Sequence, residues 1–413
     1  MQTSSDSRPA ILAVGDAVVA TGFARVLGSI LQHLVHEFDI QQLGTNYRGD
    51  PHDKDWKIYP AHLGGELQGV NRLKPLVHSI HPHLVFMVND IWVLADYVDQ
   101  LREFGREIKI VTYCPIDAGP VDPEVLERLE GIDQFVVYTQ FGKTEVEKAL
   151  TLIRQKKPDF SFPNIEIIPH GVDSVTFHCY SPDSIGRLNS PGRIEAIESL
   201  YGGDISSDNA FIVLNANRNQ PRKRIDLTVQ GFALFAKNKP ANVKLHLHMG
   251  VEDAGWNVIK LAKRYGIEDR LILTTNGNNL PSLPDHQLNN IYNAAVVGIN
   301  TSAGEGWGLV SFEHAAAGAA QIVPRHSACE ELWEGAALMV DPVMTLTTEH
   351  LLTDAKIVSP EGVASALETL YEDPETLKEM SIAAYQRATT SEYQWSTIAR
   401  RWSRLFQDTL VQN

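Results

Sequence analysis

The apolar positions of this chain fall in short blocks, and the blocks alternate between two periods. Ala10-Ile11-Leu12-Ala13-Val14 is an unbroken apolar run, the pattern of a buried strand, and it ends in a glycine-containing loop that reaches Gly22. Phe23, Val26, Leu27, Ile30, Leu31, Leu34, Val35 and Phe38 follow at i, i+3, i+4, i+7 spacing, which predicts an amphipathic helix. Further strands are predicted at 84–88, 110–113, 134–138 and 165–168. Alternation of this kind implies βαβ units and a mainly parallel sheet.

The pattern fades between Ser174 and Asp208 into polar sequence such as Ser181-Pro182-Asp183 and Ser190-Pro191-Gly192, then restarts. Strands are expected at 211–214, 243–249, 271–274, 295–299, 321–323 and 337–340, with helices between them. A closing helix at about 395–410 lines up Trp395, Ile398, Ala399, Trp402, Leu405 and Phe406. The expectation is an α/β protein of two doubly wound domains, residues 1–180 and 205–390, followed by a terminal helix, 391–413. No short-period repeat or low-complexity tract interrupts this order. Ligands of such sheets bind at the carboxyl ends of the strands.

Composition adds exclusions. The chain has 413 residues, enough for two cores, and is 43% hydrophobic and 21% charged. Its 36 Lys and Arg against 51 Asp and Glu give a net charge of −15, which argues against a nucleic-acid binder. A local basic pocket for a phosphorylated small molecule stays compatible with that charge. Cys114, Cys179 and Cys329 are far apart and suggest neither a disulfide framework nor a zinc cluster. The run at 10–14 is too short for a signal-peptide core, and no window approaches the length of a membrane span. A soluble, cytoplasmic setting is the expectation.

Three loops carry candidate chemistry. In Asn300-Thr301-Ser302-Ala303-Gly304-Glu305-Gly306-Trp307-Gly308-Leu309, a strand runs into a Gly-rich turn and then into a helix at 309–317. The first amides of that helix have no internal partner, which suits a phosphate or sugar hydroxyls. Glu305 lies in the turn and Glu313 about one turn inside the helix, so two carboxylates are expected in one cleft. The plainer alternative is a helix start with two solvated acids. After the second domain's first strand, Arg218, Arg222, Lys223 and Arg224 put four cations into seven residues. A diphosphate calls for such a cluster, and a solvated basic loop is the alternative. The third loop, 16–25, offers Gly22 before a helix but has neither dinucleotide nor P-loop glycine spacing.

Taken together, Glu305 and Glu313 with seven residues between them, Arg218 and Lys223 after a strand, and Ile168-Pro169-His170-Gly171-Val172-Asp173 followed by Phe177 resemble a retaining glycosyltransferase of family 4. The resemblance is strongest over residues 165–342. It implies the GT-B fold, two Rossmann-like domains facing across a cleft, with a C-terminal helix crossing back to the N-terminal domain. By position, Arg218 and Lys223 bind the donor diphosphate, and Glu305 holds the transferred sugar beside the backbone of Gly306, Trp307, Gly308 and Leu309. Glu313 meets the nucleotide ribose, Gly22 approaches the diphosphate, and the base lies by residues 274–277, which include Thr275 and Asn276. The implied partners are a nucleotide-sugar donor, UDP-sugar favoured, and a sugar or lipid-linked saccharide acceptor. No cofactor or divalent metal is implied.

One departure from the family pattern stands out. A first-domain histidine common in the family is missing from Tyr113-Cys114-Pro115-Ile116-Asp117-Ala118-Gly119. Asp117 either takes its place at the sugar or acceptor hydroxyl, or caps a loop; both readings stay open. His170 reads as a structural residue, and His246 with His248 as core or edge residues rather than metal ligands. Asp53-Lys54-Asp55 lies in a polar loop and is discounted as a metal motif. The resemblance places acceptor choice in residues 48–69 and 89–97, where Trp92 either stacks on a sugar ring or packs into the core; both readings stay open. Basic residues of the helix at 142–157 leave weak peripheral membrane contact open. The rival activities are a sugar phosphorylase, a nucleotide-sugar epimerase and a non-catalytic sugar-nucleotide binder.

Overall fold

The computed structural model describes residues 8–279 and 281–411, and the chain divides into two compact units. The first comprises residues up to Gly171 together with those from Trp395 onward; the second is Val172–Gln394.

In the first unit the strands are β1 (Ala10–Asp16), β2 (Asp39–Thr45), β3 (Lys57–Pro60), β4 (Leu84–Val88), β5 (Lys109–Cys114), β6 (Gln134–Val137) and β7 (Ile165–Ile167). They form one parallel sheet in the order β3-β2-β1-β4-β5-β6-β7. Helices α1 (Gly22–Leu34), α2 (Val70–Ile80), α3 (Ile91–Leu101), α4 (Pro123–Glu127) and α5 (Gln140–Lys156) connect them. Strand β2 lies outside the predicted set because Gln41 and Gln42 read as polar. Gln42 is nevertheless buried, donating to the Gly15 and Asp16 carbonyls and accepting from the Trp56 indole. A polar side chain with all its partners made can occupy a strand core.

The second unit contains α6 (Pro191–Tyr201), β8 (Phe211–Asn215), α7 (Ile225–Ala236), β9 (Val243–Leu247), α8 (Val258–Tyr265), β10 (Leu271–Leu273), α9 (Asp285–Ala294) and β11 (Val297–Ile299). It continues with α10 (Leu309–Ala316), β12 (Ala320–Pro324), α11 (Ser327–Trp333) and β13 (Leu338–Val340). Its six-stranded sheet runs β10-β9-β8-β11-β12-β13, again all parallel. Apolar clusters lie on both faces of this sheet, and helices cover them, as a parallel sheet requires. An antiparallel hairpin, β14 (Pro342–Thr347) with β15 (Asp354–Val358), leads into α12 (Pro360–Glu372) and α13 (Pro374–Ala388). The hairpin was not predicted, because its residues are mostly exposed and carry no clean alternation.

The last helix, α14 (Trp395–Val411), belongs to the first unit. Trp402 packs on Phe86 and Tyr113, with ring centroids 4.7 and 4.8 Å apart, and Phe406 meets Phe38 edge-on. The aromatic stripe seen in the sequence is therefore the seam that closes one face of the first sheet. No helix among the described residues is long and apolar enough to cross a membrane.

Candidate active site

In the second unit the strand order reverses between β8 and β11, neighbours in the sheet from which the chain winds in opposite directions. The loops leaving the carboxyl ends of such a pair form the natural ligand crevice of an open α/β sheet. Here they are residues 216–224, which carry the cations, and 300–308, the glycine-rich turn. The fold thus brings together the two loops that the sequence singled out.

Backbone and side chains lace these loops tightly. Ala303 N donates to the Arg222 carbonyl at 2.8 Å, and Thr301 Oγ1 donates to the Arg224 carbonyl at 2.9 Å. Lys223 Nζ then meets Glu305 Oε2 at 2.5 Å. The two side chains are only 11% and 7% exposed, so water screens the pair little. Arg222 Nη1 lies 3.7 Å from Glu305 Oε1 and donates to the Gly304 carbonyl. Asn300 Nδ2 and Ser302 Oγ donate to Glu305 Oε2 at 3.3 and 3.2 Å. Burial alone raises the Glu305 pKa, but Lys223, Arg222 and the hydrogen bonds outweigh it and hold the carboxyl well below the usual carboxylate range. Glu305 is therefore a charged acceptor at neutral pH.

Gly308 sits between this pair and α10 with φ of 91°, a left-handed conformation that favours glycine. It turns the chain so that the N–H groups opening α10 leave the helix end beside Glu305. Trp307 contributes backbone to the turn, while its ring stacks on Phe312 at 4.9 Å and meets Tyr393 edge-on. Glu313 lies within α10, buried, and accepts from the Tyr292 hydroxyl at 2.8 Å. Neither carboxylate is a solvated surface acid.

The other expected residues of this unit have contacts of their own. Arg218 is half-exposed and forks onto Asp253, with Nε–Oδ2 and Nη2–Oδ1 distances of 2.6 and 3.1 Å. Arg224 forks onto Asp226 instead. Thr275 and Asn276 follow β10 in a turn where Thr275 Oγ1 accepts from Gly277 N, and the Gly277 carbonyl accepts from Val251 N. His246 and His248 share the Thr274 hydroxyl at 2.9 and 3.0 Å, and Tyr201 bonds the other nitrogen of His246. Burial lowers these two histidines to about 3 and about 4.

In the first unit, Gly22 opens α1 behind the cap Thr21, whose hydroxyl accepts from Ala24 N and donates to Asp16. Asp117 is half-buried beyond β5, close enough to the Cys114 thiol to act on it electrostatically, as Asp90 does. His170 is buried, bonded to the Tyr113 hydroxyl at 2.7 Å and packed on Tyr138, and burial lowers its pKa to about 3.

Sequence reasoning missed Asp253, Tyr292, Asn300 and Ser302 as partners of the charged groups, and Ser327, whose hydroxyl accepts from Glu305 N. Asn300 and Ser302 stood inside the quoted motif. The others are lone polar residues on distant elements, and nothing in the local pattern marks them.

The architecture has known counterparts. Anabaena HepE in complex with UDP and glucose matches with a TM-score of 0.69 over 97% of this chain and 100% of that one, at 15% identity. The fold is GT-B. Sucrose-phosphate synthase from Thermosynechococcus elongatus gives 0.68 over 97% and 98% of the two chains at 17% identity. The catalytic domain of starch synthase IV from Arabidopsis thaliana, bound to ADP and acarbose, gives 0.68 over 98% and 99% at 12% identity. Residues 204–387, inside the second GT-B unit, match the family model described as glycosyl transferases group 1. No curated protein sequence matches the chain significantly.

Proposed function

We propose that this protein is a retaining glycosyltransferase that moves a hexosyl group from a nucleoside-diphosphate sugar, preferably a UDP-sugar, to an acceptor hydroxyl. The acceptor is a free or lipid-linked saccharide, and the product serves polysaccharide or glycolipid synthesis. The observation that carries this reading is the buried Lys223–Glu305 pair, with Arg222 beside it, at the amino end of α10. Negative charge grows on the diphosphate as the sugar–oxygen bond breaks. Fixed cations and helix N–H groups aimed at that charge lower the barrier without reorganising. The group 1 match and the nucleotides bound by HepE and starch synthase IV support the same reading.

Lys223 and Arg218 bind the diphosphate in this scheme. The half-exposed Arg218–Asp253 fork is a weak contact to exchange for a phosphate. Glu305 accepts hydrogen bonds from the sugar hydroxyls, with the backbone of Gly306, Trp307, Gly308 and Leu309 alongside. Glu313 accepts from the ribose, Thr275 and Asn276 border the base, Gly22 meets the diphosphate, and Asp117 contacts the acceptor. The acceptor attacks from the leaving-group face, its proton passes to the departing β-phosphate oxygen, and the configuration is retained. No protein nucleophile or divalent metal is needed.

Ligand-observed NMR with UDP-, GDP- and ADP-sugars in the presence of EDTA tests the proposal. One donor is expected to bind, more weakly to Glu313→Gln, and to release sugar first in the donor's own anomeric form. Failure of every nucleotide sugar to bind defeats the donor site and favours a phosphorylase or a non-catalytic binder.

A further inference from the structure

The second unit holds another charged group that the proposed transfer does not use. Arg193 lies in the first turn of α6 and is only 6% exposed. Its Nε and Nη1 are buried without a hydrogen-bond partner. Burial lowers its pKa to about 10, which leaves it charged at neutral pH. Among the described residues its charge is felt by the Cys179 thiol and the buried His314 imidazole, and neither is an anion. Burial pushes that thiol up, against the pull of the Ser181 amide and Arg193, so it stays neutral and gives no counter-charge. A buried cation with no counter-ion is strongly unfavourable unless something else supplies the charge.

Arg193 lines a cavity together with Cys179, Ser181, Ser190, Asn293 and Gly318. The space is about 220 Å³ including its open mouth. Ser190 is the N-cap residue of α6, yet its buried hydroxyl makes no capping bond. The positive end of an 11-residue helix therefore faces the same space as the unpaired guanidinium. Ala317 and Gly318, just beyond α10, also line it. The eight residues of α10, about 12 Å of helix, separate this cavity from the turn at Gly308.

We propose that this cavity is a second anion site, which takes a phosphate group, inorganic or on a small ester, against Arg193 and the amino end of α6. Gly192 N already donates to Ser181 Oγ, which leaves the planar guanidinium, the Ser190 hydroxyl and the Arg193 amide, and these ask for several acceptor oxygens on one small anion, which a halide lacks.

Cys179 reports on occupancy, since it lines the cavity and is the partly exposed cysteine beside the buried Cys114 and Cys329. Thermal unfolding and iodoacetamide labelling of Cys179 would be followed with sodium phosphate, glycerol 3-phosphate and sodium chloride at matched ionic strength. At ten times the half-saturating concentration, phosphate is expected to raise Tm by about 2–4 °C and slow labelling about tenfold. Arg193→Met should abolish both effects while nucleotide-sugar binding persists. Ser190→Ala should weaken both, and it decides the matter with the wild-type labelling should Arg193→Met fail to fold. The stronger of the two phosphates shows whether the group is taken free or esterified. Equal effects of chloride and phosphate overturn the proposal. So does unslowed labelling, or a phosphate effect that survives Arg193→Met and vanishes on saturation with nucleotide. Loss of nucleotide binding in the wild type would defeat the transferase reading and leave this site standing.

Discussion

Strands β1 and β8 hold the same place in their sheets, each flanked by the strand before the reversal and the strand after it. The loops that leave them differ in chemistry. After β1, the Asp16 carboxylate is buried and held by neutral donors: Thr21 and Thr45 hydroxyls at 2.6 Å and the Asn46 amide at 2.8 Å. After β8, four cations leave the strand, and Arg218, Lys223 and Arg224 each take a carboxylate, Asp253, Glu305 and Asp226. The carboxylate at the first loop is thus met only by neutral donors, two of them from the end of β2. The second stores charge at a place where an anionic ligand can exchange for a partner. One topology offers the crevice twice, and residue type decides what each crevice can bind.

The largest effect is expected at Lys223. Lys223→Ala leaves Glu305 buried without its main counter-ion, and removing one member of a buried pair costs about 3–5 kcal/mol. Denaturant unfolding would show this, and turnover should fall about a hundredfold or more. Adding Glu305→Gln should restore part of the stability and none of the turnover. Full stability in the single variant would mean that the pair is not the strut of this loop.

Arg218→Ala separates the two roles that Lys223 combines. Its fork onto Asp253 is half-exposed and worth little, so stability should change by less than about 1 kcal/mol. Donor turnover should still fall about tenfold to a hundredfold. Unchanged turnover would remove Arg218 from the proposed diphosphate site.

Acid should affect the units unequally. Burial holds His246, His248, His314 and His326 of the second unit at about 3, 4, 3 and 4, whereas His170 of the first unit is at about 3. Each is neutral when folded and binds a proton when unfolded. Their contribution is complete above about pH 6.5 and fades as pH falls toward the folded values, by up to about 1.4 kcal/mol per pH unit for each group. Amide exchange at pH 7 and pH 5 should show protection falling further in the second unit. Equal losses in both units would contradict this.

The smallest change is Thr21→Val, which removes the α1 cap and one donor to Asp16 for about 1–2 kcal/mol. Donor binding should weaken only as far as Gly22 shifts. A binding loss as large as that of Lys223→Ala would show that the neutral loop matters as much as the charged one.

Much of the candidate site was legible because its residues cluster locally: Glu305 with Gly308 and Glu313, and Arg218 with Lys223. The four cations could not be ranked from sequence, since identical charges on one loop are told apart only by what they meet. Folding sends Lys223 across to Glu305, turns Arg224 back onto Asp226 two residues away, and leaves Arg218 half in water. Arg193 was invisible for a similar reason. Ser190-Pro191-Gly192 read as a polar break between domains, whereas it opens a helix whose first turn buries Arg193.

Periodicity is local physics, set by which side chains fall on one face of a helix or strand. It was enough to predict the alternation, two parallel sheets, the aromatic seam of α14 and the loops where chemistry would lie. Burial and pairing are not local. Lys223 and Glu305 are 82 residues apart and meet because β8 and β11 are neighbours in the sheet. The chain order of charges thus came from the sequence alone. Which charges are neutralised, which stay wet and which one is buried unpaired was decided by the strand order, because the field at each group depends on neighbours that only the folded sheet supplies.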